Sequence, residues 1–316
     1  MHVSRIQSVA IVGAGITAAA LAERLSQHGI DVDLYEKARG AGGRLTTRRA
    51  GAALFNHGCP TSAIVKAGRT GADGLETPIH SALQGQSSSD TSTSTFLAAN
   101  SVVKNLVAAR RVRYESSVAR IEKHGNLWRL LASSGEVLGS AAAVVLTLPV
   151  PQALQLVPDT MAEWQQALAP VQYSACWTAM FCTPEPPTPD PAIISRLTRG
   201  HIDPDAELAG CSAWVAHATP EFSQAHLEHS ADQVLPLLID ACGLQLKQTR
   251  LTQTHRWRYA ICLEPISVSA LWDAKHSIGI AGDAFGTHDN SLERALRSAQ
   301  ACAQRMLNTY SGDCGA

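Results

Sequence analysis

Val9-Ala10-Ile11-Val12-Gly13-Ala14-Gly15-Ile16-Thr17-Ala18 is a short apolar strand that breaks into a tight glycine turn. Strong helix formers follow it, Ala18-Ala19-Ala20-Leu21-Ala22-Glu23-Arg24-Leu25, and Val32-Asp33-Leu34-Tyr35-Glu36 returns to strand. Strand, turn, helix and strand in this order make a dinucleotide-binding unit. Gly13 permits the turn, and Gly15 lets the backbone approach a pyrophosphate. Ala18 takes the third small position, where the helix must pack closely on the strand. Ile16 and Thr17 begin that helix, whose free N–H groups and positive dipole end face the phosphates. Glu36, about 20 residues beyond the turn, is placed to accept hydrogen bonds from a ribose diol.

A second glycine cluster, Lys37-Ala38-Arg39-Gly40-Ala41-Gly42-Gly43-Arg44, follows the acidic strand directly. A nicotinamide-binding domain has no standard need for it. A longer cofactor, whose pyrophosphate and ribityl chain run past the first turn, does. FAD is therefore the expected cofactor, with Lys37, Gly42, Gly43 and Arg44 among its contacts.

These residues, continued by Leu45-Thr46-Thr47-Arg48-Arg49, resemble the flavin amine oxidase superfamily, and most closely its renalase-like branch. Four later segments resemble the same branch: Ala53 to Gly58, Ala213 to Ser223, His255 to Ala260, and Ile278 to Phe285. The resemblance implies an α/β fold with a GR2-type Rossmann-like FAD-binding domain. A discontinuous α+β substrate domain accompanies it, as in p-hydroxybenzoate hydroxylase and the amine oxidases. It adds Asn56, His57, Gly58, Val118, Gly282, Asp283, Glu293, Arg294 and Ala295 to the expected cofactor contacts. Val118 matches a strand whose backbone bonds the adenine ring, and Asp283 a carboxylate that accepts a ribityl hydroxyl. The last helix is expected to point its N-terminus at the flavin's pyrimidine edge, where positive potential stabilises the anionic reduced ring. Three departures touch the pocket. Arg294 stands where the family commonly has glycine, Asn56 where it has an acid, and Cys59-Pro60-Thr61 where a small–Gln–aromatic sequence is usual.

Composition narrows the function classes. The 316 residues are 45% hydrophobic with a formal net charge of −1, enough for a sizeable core and without the basic excess of a nucleic-acid binder. Eight cysteines are spread without CxxC or Cys/His spacing, so no metal site is expected and a reduced, cytoplasmic chain is the simpler reading. Arg5 before the apolar run from Val9 imitates a signal peptide, but the glycine turn inside that run explains it as the phosphate loop. No stretch of 18 uncharged apolar residues occurs, and no membrane partner is expected.

The pattern assigns residues 1–58, 97–150 and 263–316 to the FAD-binding domain. A loop-rich insert, 59–96, and residues 151–262 make the substrate domain. Ser87 to Thr95 is low-complexity and reads as a surface loop, and Pro184 to Pro191 as a stiff one. Helices are expected over 96–109, 160–169, 230–242 and 291–307. Strands are expected over 112–115, 117–121, 128–131, 141–147, 172–182, 193–198, 211–217, 251–257 and 278–282.

Candidate pocket residues are His217, His255, Trp257 and Tyr259, with Trp214 and Arg258 beside them. Trp257 and Tyr259 would share one strand face and Arg258 the other. The expected reaction is hydride transfer from a small donor to flavin, with dioxygen as electron acceptor. Resemblance points to isomeric dihydro-NAD(P) as donor. An amine or a biosynthetic intermediate is the alternative, and a non-catalytic flavin sensor the second.

Overall fold

The computed structural model describes residues 7–60, 64, 96–203, 208 and 210–311. The low-complexity stretch Ser87 to Thr95 and residues 312–316 lie outside the described residues.

Two sheets face each other across a cleft. The first has six strands in the order Leu271–Asp273, Ile278–Ile280, Ala143–Leu146, Ser8–Val12, Asp31–Tyr35 and Arg111–Arg113. It is parallel except at the Leu271–Asp273 edge. Ala143–Leu146 lies inside it with every residue buried, as a continuous apolar run requires. The sequence reads 141–147 as one strand. The chain instead breaks at Ala142, and Ala141 ends a separate antiparallel strand, Val137–Ala141. Helices Ile16–Ser26, Ala99–Val107 and Ser291–Ser311 cover one face of the sheet through Leu21, Leu25, Val103, Leu296 and Met306. The other face takes the antiparallel sheet Arg120–His124, Leu127–Leu131, Val137–Ala141 and helices Val150–Ala153 and Ala162–Leu168.

The second large sheet is antiparallel, in the order Ile194–Arg199, Ser212–Ala218, Tyr173–Thr183 and Arg250–Cys262. Alternation along Tyr173–Thr183 decides its packing. Trp177, Ala179 and Phe181 meet helix Ala231–Asp240, whose Ser230 forms a capping box with Gln233. Met180 and Cys182 point the other way and pack on Phe55. Phe55 belongs to a hairpin, Thr47–Ala50 with Ala53–Asn56, that pairs with His201–Ile202. The boundary drawn at residue 58 therefore does not follow the packing: this hairpin lies within the FAD segment by sequence but is buried against the substrate sheet. Pairing also carries Arg250–Cys262 past the expected end at 257, through a register shift opposite Ser174 and Cys176.

Candidate active site

A cleft of about 1480 Å³ runs between the two halves. At one end the glycine loops are zipped together. Gly42 donates its N–H to the Ala14 carbonyl at 2.9 Å, and Gly15 and Gly42 form a parallel bridge. Gly42 has φ of +145°, and a Cβ there would lie 2.5 Å from the Leu45 carbonyl, so only glycine fits. Gly15 is different: a Cβ on it meets no atom within 4 Å and would stand in open cleft. No side chain caps helix Ile16–Ser26, and no acid occupies its first turn. Its leading N–H groups stay available for an anion.

Glu36 is buried with both oxygens engaged. Oε2 accepts the Ala14 N–H at 2.9 Å and Oε1 the Ala38 N–H at 2.8 Å. It ties the two glycine loops to its strand and keeps lone pairs for a ribose, since a carboxylate offers about four.

In the middle of the cleft Asp283 is held as an ion pair. Arg44 donates to its two oxygens at 2.8 and 2.6 Å, and the Tyr173 hydroxyl adds a third bond at 3.2 Å. Burial and the Asp283 charge push the Tyr173 phenol well up, so it remains a donor. The expected ribityl contact of Asp283 thus shares its carboxylate with two protein donors. Arg294, buried, donates to the carbonyls of Asp283 and His288 and lines the cleft at the start of helix Ser291–Ser311. The cation at this departure from the family pattern clamps the turn that precedes the helix.

At the far end strand register sets the wall. Arg196, His217, Thr178 and His255 lie in one row across the substrate sheet. Trp257, beside Cys176 in the next row, donates its indole N–H to the His57 carbonyl at 2.9 Å. The His255 ring lies 4.2 Å from Trp257 and 5.1 Å from His57. Tyr259 packs edge-on against Tyr173. His217 Nε2 donates to the carbonyls of His57 and Gly58 at 3.2 and 3.1 Å. Burial lowers His57 to about 3, and His217 and His255 to about 4, so all three imidazoles are neutral at pH 7. The Nδ1 atoms of His57 and His217 are buried without partners. Burial also pushes the Cys59 thiol up to about 11, which leaves it an inert thiol rather than a nucleophile.

Of the expected residues, Gly13, Gly15, Ile16, Thr17, Glu36, Lys37, Gly42, Gly43, Arg44, His57, Gly58, Val118, Asp283, Arg294 and Ala295 line this cleft. His217, His255, Trp257 and Tyr259 line it as well. Others stand outside the lining. Ala18 is fully buried behind the loop, as its packing role requires. Asn56 turns away: Oδ1 accepts from Thr47 and the Ala99 N–H, and Nδ2 donates to the Leu97 carbonyl. Gly282 donates to Ser298, and Glu293 pairs with Arg297. Trp214 lies under Arg199. Arg258 does border the cleft, at its exposed rim, where it makes a two-pronged pair with Glu228. Sequence reasoning missed Arg196 and Cys176, which reach the cleft only through strand pairing, and Tyr173, which supports Asp283 from behind the lining.

Two family descriptions match the chain. "NAD(P)-binding Rossmann-like domain" matches residues 11–70, and "Flavin containing amine oxidoreductase" matches residues 80–236. The chain belongs to the flavin amine oxidase superfamily. Solved structures agree on the fold. A proposed protoporphyrinogen oxidase from an Exiguobacterium species is 16% identical with a TM-score of 0.61, over 96% of this chain and 99% of that one. Cyclohexylamine oxidase from Brevibacterium oxydans is 13% identical with a TM-score of 0.63, over 97% and 100%. A putrescine oxidase variant is 13% identical with a TM-score of 0.63, over 96% and 99%. The protein is an FAD-dependent oxidoreductase. The open space at Gly15, the uncapped helix start and Glu36 fit the dinucleotide, and Asp283 and Arg294 border the region beyond it. Among the described residues no helix is long and apolar enough to cross a membrane.

Proposed function

We propose that this enzyme is renalase-like: it oxidises a small dihydronicotinamide donor, an isomeric dihydro-NAD(P), and passes the electrons to dioxygen. The glycine loops, the start of helix Ile16–Ser26 and Glu36 would hold FAD, which would supply the two-electron chemistry that the side chains lack. The residues near it have the tasks of orienting the donor and excluding water.

The neutrality of the wall carries this reading. His57, His217 and His255 are held neutral with proton affinities far below that of an amine, and none suits removal of a proton from an ammonium group. A dihydropyridine needs no such step. Its C–H bond breaks with both electrons leaving as hydride, and the ring nitrogen takes up the positive charge. His57, His255 and Trp257 then serve as a close-packed partition against which a flat ring is held. Trp257 fixes this partition by its bond to the His57 carbonyl, and His217 fixes it from behind.

An amine donor is the second reading. The family description and the two amine oxidases of similar fold favour it. Anaerobic mixing separates the two. Fast bleaching of the flavin by misplaced-hydride NAD(P)H isomers, with peroxide on admitting air, is expected. Bleaching by an amine panel but by no dihydronicotinamide would overturn the proposal.

A further inference from the structure

The arginines of the cleft fall into two groups. Arg44 is committed to Asp283, Arg256 and Arg258 to Glu228 and nearby carbonyls, and Arg294 to two carbonyls. Arg48 and Arg196 line the same cleft and make no ion pair among the described residues. Both flank the neutral imidazoles. Arg48 acts on His57 and His255, and Arg196 on His217, in each case lowering proton affinity further.

Arg196 reaches this position by a specific device. Ile194 pairs with Ala218, yet Arg196 pairs with His217, so Ser195 is an extra residue. In a regular strand residues two apart share a face, and Arg196 would join Ile194 on the core side. The bulge at Ser195 turns Arg196 over onto the His217 face. The Ser195 hydroxyl, at 3.1 Å from the carbonyls of both His217 and Ala218, holds the bulge in place.

The carboxylates of the cleft do not oppose these cations. Glu36 is bound to two backbone N–H groups, Asp283 is paired with Arg44, and Asp289 is exposed beside the last helix. An ammonium ion entering the cleft meets two unpaired guanidinium groups at the imidazoles, and the one carboxylate without a bonding partner among the described residues, Asp289, is exposed at the start of the last helix. An anion meets two forked donors over a neutral floor.

We infer that Arg48 and Arg196 form an anion-binding subsite, which selects donors carrying a phosphate or carboxylate group and rejects simple alkylamines. The inference rests on the proposed hydride-transfer reading and names the donor charge that this reading leaves open.

The test is titration of the flavin-loaded enzyme with non-reacting probes, read by perturbation of the flavin's visible spectrum. The probes are inorganic pyrophosphate, NADP+, benzoate and cyclohexylammonium, at low and high salt. Pyrophosphate and NADP+ binding without benzoate binding assigns phosphate, and the converse assigns carboxylate. Binding is expected to weaken about tenfold in Arg48→Gln and in Arg196→Gln, and further in the double variant. Arg196→Lys, which keeps the charge, should retain part of the affinity. Unchanged melting temperature and flavin content in these variants exclude a folding defect. Equal anion affinity in wild type and double variant, or tighter binding of cyclohexylammonium than of any anion, would overturn the subsite. If anions bind through the arginines but no dihydronicotinamide bleaches the flavin, the subsite stands and the proposed donor falls. If bleaching is equally fast in the double variant, the donor stands and the subsite falls.

Discussion

At the dinucleotide end of the cleft the buried carboxylates and the glycine loops have assigned partners, and the leading N–H groups of helix Ile16–Ser26 are left open. Glu36 bonds two N–H groups, Gly42 bonds Ala14, and Asp283 is shared between Arg44 and Tyr173. At the substrate wall the buried Nδ1 atoms of His57 and His217 have no partner, and Arg48 and Arg196 have no counter-ion among the described residues. The first end is pre-satisfied and rigid, built to present backbone to a constant ligand. The second carries unspent hydrogen-bonding and charge capacity, which costs stability until a ligand uses it.

Breaking the rigid end should have the largest effect. Gly15→Val adds atoms where only open cleft exists, so folding should be unaffected while flavin affinity falls roughly hundredfold, about 3 kcal/mol. Flavin absorbance of the purified variant, with its apo-protein melting temperature, tests this, and full occupancy would remove the cofactor site from this loop. Asp283→Ala takes the counter-ion from the part-buried Arg44 guanidinium, leaving it only the Tyr259 and Ala260 carbonyls, and should cost about 2 kcal/mol in denaturant unfolding. A combined Arg44→Gln, Asp283→Ala variant should cost less than the two separate losses added together.

The wall should reveal itself through pH. His57 and His217 bind protons near pH 6.5 in the unfolded chain but only near 3 and 4 in the fold. As pH falls below about 6.5 the unfolded state gains protons that the native state refuses. Stability should therefore drop with acid, approaching about 1.4 kcal/mol per pH unit for each of the two histidines. It should be flat in this respect above pH 7. Unfolding midpoints measured from pH 7.5 to 5 test it, and a midpoint that rises with acid contradicts neutral burial. Glu36→Ala leaves the Ala14 and Ala38 N–H groups without an acceptor and should cost about 2 kcal/mol, besides weakening flavin binding. The smallest effect belongs to Arg258→Ala. Its pair with Glu228 is exposed, and neither melting temperature nor flavin reduction should change measurably.

The same contrast explains what the sequence disclosed. A glycine loop is a local requirement: positive φ at Gly42 and open space at Gly15 are conditions on single residues, and such conditions leave a mark in the residue type. The dinucleotide unit, the Ala143–Leu146 strand and the four strands of the substrate sheet were legible for that reason or through their apolar pattern. The wall is a product of pairing between distant segments. Nothing near Arg196 signals that Ser195 is a bulge, and period-two reasoning places Arg196 on the wrong face. Asn56 misled in a similar way: next to His57 and Gly58 it reads as a cleft residue, but strand alternation turns it toward Leu97 and Ala99. The Thr47–Asn56 hairpin was absorbed into the FAD half because its partners, His201–Ile202 and Met180, lie far along the chain.

That Asn56 contact has a thermodynamic consequence of its own. By bonding the Leu97 carbonyl and the Ala99 N–H it fixes both ends of the chain between residues 57 and 96. Once the ends are anchored, the entropy of closure grows only with the logarithm of the length between them. Doubling that length would cost about 0.6 kcal/mol. Asn56→Ala opens this clasp: it leaves the buried Ala99 N–H without its acceptor and frees one end of the closed chain.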